Sequence, residues 1–505
     1  MLSVKSITIA SMKQDILINT NSAETRVALL EDGRVQEVYI ERMANLGLVG
    51  NIYLGKVVRV LPGMQSAFIE IGLERTAFLH VADMIIAAHS PSASQASGNA
   101  LPPIEKVLFD GQTVLVQVIK DPIGTKGARL STKISIAGRL LVHLPKEQGI
   151  GVTQKVENDE ERWALKNQLI DLLGADKNNA QGGYIIRTAA CDAPVEEWQN
   201  DINYLNRAWQ SILQASQKHP APYLIHKDLS LAQRVLRDMV TVDTVSVVTD
   251  NEATLAELNN FADQYMPSVN AKLILAPIER PLFDAYKVED EINLALQHRV
   301  DLKSGGYLVI ETTEAMTTID VNTGSYVSGR NFADTILKTN LEAAREIVHQ
   351  LRLRNLGGMI ILDFIDMSNT THAENVMNTL QVEFAHDRTR TAIHPFSPLG
   401  LIEVTRKRTR ESLAQLLCEP CPMCSGRGMV KTTRTICYEI LREIAREACQ
   451  FNATAFRVVA HPDVIDMLLD EVAPHLAALS NQIGKSISLQ VQGMFFQEQY
   501  DIILM

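Results

Sequence analysis

At 505 residues, with 46% apolar and 21% charged side chains, the chain is long enough for roughly three to four globular domains with ample cores. No apolar run approaches the ~20 residues of a membrane-spanning helix, and the amino-terminal stretch has neither the apolar core nor the cleavage site of a secretion signal. The formal net charge of −11 argues against a simple basic polyanion binder, and few cysteines in so long a chain predict a reducing, cytoplasmic setting.

In chain order, Gln14–Arg42 reads as a first β-hairpin, which leaves Met12 as well as Met1 open as the start. Residues 38–82 form short β-runs broken by Gly and Pro, the pattern of a small barrel. His89–Pro103 is rich in Ser, Ala and Pro and reads as a mobile loop, after which strands resume from Gly111 to Gly138. Trp163 to Leu213 is mixed α/β around "GGYIIRTAA", and residues 229–266 hold two helical stretches flanking "TVSVV".

Gly305 to Met367 is the most informative region. "GGYLVIETTEAMTTIDVNTG" reads as two strands and a turn. The next segment carries Leu337, Leu341, Ala344, Val348 and Leu351 at helical spacing, with Gly357 and Gly358 as the stop. "MIILDFIDM" then completes a βαβ unit with parallel strands. Asp320 and Asp363 fall near the carboxyl ends of those strands, so both should emerge at one edge of the sheet, the usual ligand position in open α/β sheets. Two hard carboxylates at an open edge suit Mg²⁺, with a phosphate and water completing its shell. Asn322 shares a face with Asp320, whereas Asp366 in an unbroken strand would point away from Asp363.

Two runs are strongly basic, His349–Asn355 and Thr405–Ser412. "CEPCPMCSGRG" (Cys418–Gly428) looks like half of a zinc site: Cys-x-x-Cys supplies two of four ligands, and no second such pair exists in the chain. Either zinc is not bound there or its other ligands come from elsewhere.

"EAMTTIDVNTG", "TNLEAAREIVHQLRLRNLGGMIILDFIDM", "GLIEVTRKRTRESL" and "CPMCSGRG", in this order, resemble the ribonuclease E/G endoribonucleases. The likeness continues upstream through "NIYLGKVVRVLPGMQSAFIEIGLERTAFLH" and "KDPIGTKGARLSTKISIAG" and covers essentially the whole chain. It implies a multidomain α/β and α+β architecture. An RNase H-like domain is split between residues 1–37 and 229–295, around an S1 (OB-fold) RNA-binding barrel (38–130) and a 5′-sensor (131–228). A DNase I-like catalytic domain (296–416), a zinc-link (417–430) and a small C-terminal domain (431–505) follow.

The resemblance further implies that Asp320 and Asp363 hold a catalytic Mg²⁺ with Asn322 assisting, for a hydrolytic cut that leaves 5′-phosphate and 3′-hydroxyl ends. Phe68, Phe78 and Lys126 match RNA-contacting residues of the barrel. Arg187 and Thr188 would read a 5′-monophosphate, with the backbones of Gly138 and Val142 and support from Arg390. Cys421 and Cys424 would bind a structural Zn²⁺ shared with a second chain in a homodimer, with Cys418 as a competing third ligand and a tetramer left open. Expected partners are single-stranded, A/U-rich RNAs, including rRNA precursors and mRNA. Two rivals stand beside this reading. One is a zinc-stabilised chaperone of the DnaJ type, disfavoured by the single Cys-x-x-Cys-x-Gly-x-Gly copy; the other is a non-catalytic S1 RNA-binding protein.

Overall fold

The computed structural model describes residues 13–45, 47–85, 102–122, 127–154, 156, 158–174, 182–191, 193–277, 279–324 and 332–505. Most of the Ser/Ala/Pro-rich segment, both candidate start methionines and Lys126 lie outside them. The chain is mixed α/β and divides into two compact units, one ending at Leu413 and one running from Ala414 to Met505. No described helix is long and apolar enough to cross a membrane.

The first unit contains four sheets. Strands Gln14–Thr20, Glu24–Glu31 and Arg34–Arg42 form an antiparallel meander, and Gln14–Thr20 also pairs in parallel with Thr244–Thr249, which in turn pairs with Leu273–Leu275. One sheet is thus assembled from two distant stretches of chain. Helices Leu231–Met239 and Glu252–Tyr265 cover it, and their amino termini are held by Ser230, in a capping box with Gln233, and by Asn251. Arg34–Arg42 belongs wholly to this sheet, so the barrel starts at Ile52 rather than at the onset of alternation near residue 38.

The barrel comprises Ile52–Leu61, Ser66–Glu70, Ala77–His80, Arg129–Ser131 and Thr113–Lys120. It closes because the first strand pairs with the last, Ile52 opposite Gln117 to Lys56 opposite Thr113. Closure removes the exposed strand edges. Its core is Tyr53, Val57, Ile69, Leu79, Val116, Leu130 and their neighbours. A four-stranded sheet (Ile136–Ala137, Leu141–Leu144, Gly183–Ile186, Ile150–Val152) follows, packed with helices Asp159–Gly174 and Val195–Lys218.

The last sheet of this unit has six strands in the order Arg299–Asp301, Tyr307–Thr312, Met316–Asn322, Gly358–Asp363, Leu401–Arg406, Thr391–Ile393. Only the two central strands run parallel, joined by the helix Phe332–Leu353 as the βαβ pattern requires. The stripe of that helix, with Ala344, Val348 and Leu351 fully buried, meets Leu308, Ile310, Ile319, Ile360, Leu362, Ile402 and Val404 on one face of the sheet. Helix Thr370–Ala385 packs on the same face through Val376, Leu380 and Phe384. The opposite face carries mainly exposed or half-exposed side chains. The helix stops earlier than the glycine pair suggests: Asn355 adopts a left-handed φ of 50°, and its amide donates to the carbonyls of Arg410 and Glu411.

The two basic runs do not form solvent-facing stripes. His349, Arg352, Arg354 and Arg406 are buried. Arg352 pairs with Glu31 and Glu37 across to the first sheet, and Arg406 with Asp387. Arg410 lies over the Tyr39 ring at 3.7 Å and donates to the Val38 carbonyl. Lys407 and Arg408 stay exposed. A helical face and a strand turned inward bury these cations where acceptors await them, which a reading of charge density alone does not reveal.

The second unit is a three-stranded sheet, Ser486–Val491, Ala455–Ala460 and Tyr500–Leu504, with helices Thr433–Gln450, Pro462–Leu469 and Ala473–Ile483. His461 is the amino-terminal cap of the second of these helices, its ring Nδ1 accepting from the Asp463 amide.

Candidate active site and RNA-contact surfaces

Asp320 and Asp363 are direct cross-strand partners in the parallel pair. Both project from the open sheet face at the carboxyl ends of their strands, and both are exposed. Adjacent strands lie about 4.8 Å apart, so the two carboxylates share one small volume. Partial burial and the nearby charges of Asp320 and Asp366 push the Asp363 carboxyl above its usual range. The charge of Asp366 thus lies close enough to bear on Asp363. The strand ends at Asp363, so the alternation that would turn Asp366 away does not continue to it.

Asn322 donates from Nδ2 to Asp320 Oδ2 at 2.7 Å, which fixes that carboxylate's rotamer. A further positioning residue is Asn340, fully buried on the long helix. Its amide donates to the Ile365 carbonyl at 2.8 Å and accepts from the Ile365 amide at 3.2 Å. This bracket holds the segment between Asp363 and Asp366. The sequence carries its signal, a polar side chain within the helix's inward stripe.

A carboxylate pair with an Asn-oriented member, open to solvent and mutually repelling, fits a divalent cation that keeps much of its water. Among the described residues no cluster of three or more His, Cys, Asp or Glu side chains forms a closed metal cage.

On the barrel, Phe68 and Phe78 sit directly opposite each other on neighbouring strands, with ring centroids 6.3 Å apart and planes at 65°. Both are half-exposed and neither joins the apolar core. The same register row continues to Arg59 on one side and to Arg129 and Lys120 on the other. Aromatic faces flanked by cations are the makings of a single-strand platform. Arg129 is held by Asp83, Nε to Oδ2 at 2.9 Å.

In the four-stranded sheet domain, Arg187 closes the strand Gly183–Ile186 and turns back onto the hairpin at 138–141. Its Nη1 donates to the Gly138 carbonyl at 2.6 Å and pairs with Asp238 at 2.8 Å. The contact with the Arg139 carbonyl, at 3.4 Å, also runs through Nη1, so the other edge of the guanidinium carries none of the three. Burial raises the Asp238 carboxyl, but the hydrogen bonds and charge of Arg237, together with Arg187, more than offset it and keep it ionised. Gly138 has no room for a side chain: a Cβ there would lie 2.5 Å from both oxygens of Asp201. That buried carboxylate accepts from the amides of Arg139, Leu140 and Leu141. Thr188 is exposed at the start of a short 3-10 turn, and Val142 is half-buried on the neighbouring strand. Arg390 is exposed beside Thr391, two residues from Arg388, which donates to the Met239 carbonyl.

In the second unit, Cys421 and Cys424 lie on one tight turn with Ser425, Gly426 and Gly428 in left-handed conformations. The Gly428 amide donates to Cys424 Sγ at 3.3 Å. This bond, with the Gly426 amide and the Cys421 thiol, holds the Cys424 thiol below its usual pKa. Glu498 accepts from Arg427 and from the Lys431 amide, tying the knuckle to the loop between the last two strands. Cys418 and Cys421 are exposed and Cys424 is buried.

Residues 135–409 match the family model described as the Ribonuclease E/G family, and residues 420–504 match that of an RNase E/G, Thioredoxin-like domain. The chain is 45% identical over 494 residues to Ribonuclease G of Salmonella typhimurium (strain SL1344), spanning 98% of this chain and 100% of that protein. Identity to Ribonuclease G of Haemophilus influenzae (strain ATCC 51907 / DSM 11121 / KW20 / Rd) is 44% over 492 residues, 97% of this chain and 99% of that one. Ribonuclease E of Escherichia coli (strain K12) is 37% identical over 464 residues, 91% of this chain but 43% of that protein. With matches of this depth along nearly its full length, the chain belongs to the ribonuclease E/G family and within it is most like ribonuclease G.

Proposed function

We infer that the protein is an Mg²⁺-dependent endoribonuclease that cuts single-stranded, A/U-rich RNA in rRNA maturation and mRNA decay, in the cytoplasm, with preference for 5′-monophosphorylated substrates. The observation that carries this reading is the cross-strand pair Asp320–Asp363 on an open sheet face. Folding gains nothing from two exposed, mutually repelling carboxylates, and a protein that only binds RNA has no use for them. Asp320 and Asp363 would hold the ion, with Asn322 keeping Asp320 in its ligating rotamer. When bound, Mg²⁺ polarises a phosphodiester oxygen and lowers the pKa of a water. The chain's own part is to orient the strand: Phe68 and Phe78 offer faces for base stacking, and the free edge of Arg187 with the Thr188 hydroxyl suits a terminal monophosphate.

The sheet split between residues 14–42 and 244–275 fits an RNase H-like domain interrupted by insertions. The barrel fits an S1 domain, the four-stranded sheet a 5′-sensor, and the six-stranded sheet a DNase I-like catalytic domain. The Cys421–Cys424 knuckle supplies half of a zinc tetrahedron, and the same turn of a second chain would complete it in a homodimer.

The test is cleavage of a short single-stranded RNA with and without Mg²⁺, as 5′-monophosphate and 5′-triphosphate, by wild type, Asp320→Asn and Asp363→Asn. Loss of one electrostatic stabiliser should lower kcat by about 10²–10³. Binding without cutting, unaffected by either substitution, would replace this reading with a non-catalytic RNA-binding protein.

A further inference from the structure

The open face of the six-stranded sheet is acidic. Its strands present Asp301, Glu311, Asp320, Asp363 and Glu403, all exposed. Among the described strand residues of this face the one Lys or Arg is Arg299. Arg299 stands in the same register row as the paired carboxylates: it is opposite Val309, which is opposite Asp320, which is opposite Asp363. Two strand spacings, about 10 Å, separate its strand from that of Asp320.

The guanidinium is not loose. It lies over the ring of Tyr307, 3.9 Å from the centroid, a diagonal contact across the strand pair. Tyr307 in turn is the direct partner of Asn322, the residue that orients Asp320. The Arg299 side chain is 59% exposed, so the guanidinium stays accessible from solvent. The charge partner of Arg299 is Asp301 on its own strand, Nε to Oδ1 at 2.8 Å, and both side chains are more than half exposed. An ion pair so open to water exchanges readily for a phosphate, and a guanidinium offers a phosphate two parallel donors.

The geometry points to a phosphate-binding subsite formed by Arg299 on Tyr307, which takes a backbone phosphate of the single strand flanking the one held at Asp320 and Asp363. This rests on the nuclease reading above. An RNA strand crossing this sheet meets carboxylates on nearly every strand. One preoriented cation in the catalytic row fixes where along the face the polyanion settles, and so which phosphodiester reaches the carboxylate pair.

The experiment is equilibrium binding of a fluorescent single-stranded RNA to the full-length protein in the Asp363→Asn background, titrated with salt. Each phosphate contact to a single strand contributes about 0.7 to the slope of log K against log salt. Arg299→Ala should weaken binding several-fold at low salt and lower the slope by about that amount. Arg299→Lys, which keeps the charge but loses the fork, should recover the slope and only part of the affinity. Tyr307→Ala should weaken binding because the guanidinium loses its support. Phe68→Ala, a stacking loss, should weaken binding with the slope unchanged. Wild-type affinity and slope in Arg299→Ala would overturn the subsite. If the protein with intact carboxylates binds RNA yet never cuts it, the nuclease reading fails while the slope still decides the subsite; if it binds no RNA, both fall.

Discussion

Replacing Arg352 by alanine separates two physical readings of the basic run His349–Asn355. Arg352 is 4% exposed and donates to Glu31 through Nη1 and Nη2 at 3.1 and 2.7 Å, and to Glu37 at 3.1 Å. Removing the guanidinium leaves two largely buried carboxylates without their cation between the long helix and the first sheet. Breaking a buried pair from one side costs roughly 3–5 kcal/mol, whereas an exposed basic side chain is lost within about 0.5 kcal/mol.

The pH dependence follows from Glu37. Burial raises its carboxyl, but the charges of Arg352 and Arg388 and the hydrogen bonds from Tyr39 and Arg352 outweigh it, and its pKa is lowered from 4.5. Such a group stabilises the fold above its unfolded value, and that contribution is lost as pH falls through the folded value. Without Arg352 burial gains weight and the carboxyl binds a proton more readily. The deficit of the variant should thus be largest near neutrality and shrink as pH falls below 4.5 through the lowered folded value. Urea unfolding at several pH values, alongside the salt slope of RNA binding, measures both. A loss under about 0.5 kcal/mol with a reduced salt slope would mean that Arg352 faces RNA and that the buried network is not what holds the two sheets together.

Phe68→Ala should weaken single-stranded RNA binding by about 1–3 kcal/mol with little change in unfolding midpoint, because the ring is outside the barrel core; a large fall in stability instead would make it a core residue. Gly138→Ala should destabilise by about 1–3 kcal/mol and reduce the 5′-monophosphate preference together, since the added methyl displaces Asp201 and the hairpin that Arg187 grips. Asn340→Ala should cost about 1–3 kcal/mol by leaving the Ile365 backbone groups unpaired, and should lower kcat through the displaced Asp363–Asp366 segment. Unfolding curves with cleavage assays check it, and unchanged kcat would reduce Asn340 to a purely structural role.

Much of this protein is legible in one dimension because the relevant signals are local. Alternation within Met316–Asn322, the helical stripe from Leu337 to Leu351 and the apolar run ending at Asp363 define a βαβ unit, and that unit alone places Asp320 and Asp363 at matching strand ends. The Cys-x-x-Cys turn with its glycines is equally local, since its geometry depends on backbone conformations within eight residues. Strand alternation says nothing about where a strand stops, so the side on which Asp366 falls is not legible from the period alone.

What the tertiary structure decided involves residues far apart in the chain. The pairing of Gln14–Thr20 with Thr244–Thr249 joins segments that no local period connects. The two runs are strongly basic in sequence, and the fold brings Glu31, Glu37 and Asp387 to them; charge is a property of sequence, but whether it faces water or a carboxylate is a property of packing. The stack of Arg299 on Tyr307 exists only because a two-residue diagonal across a strand pair sets the two side chains together on the face that the helices leave open.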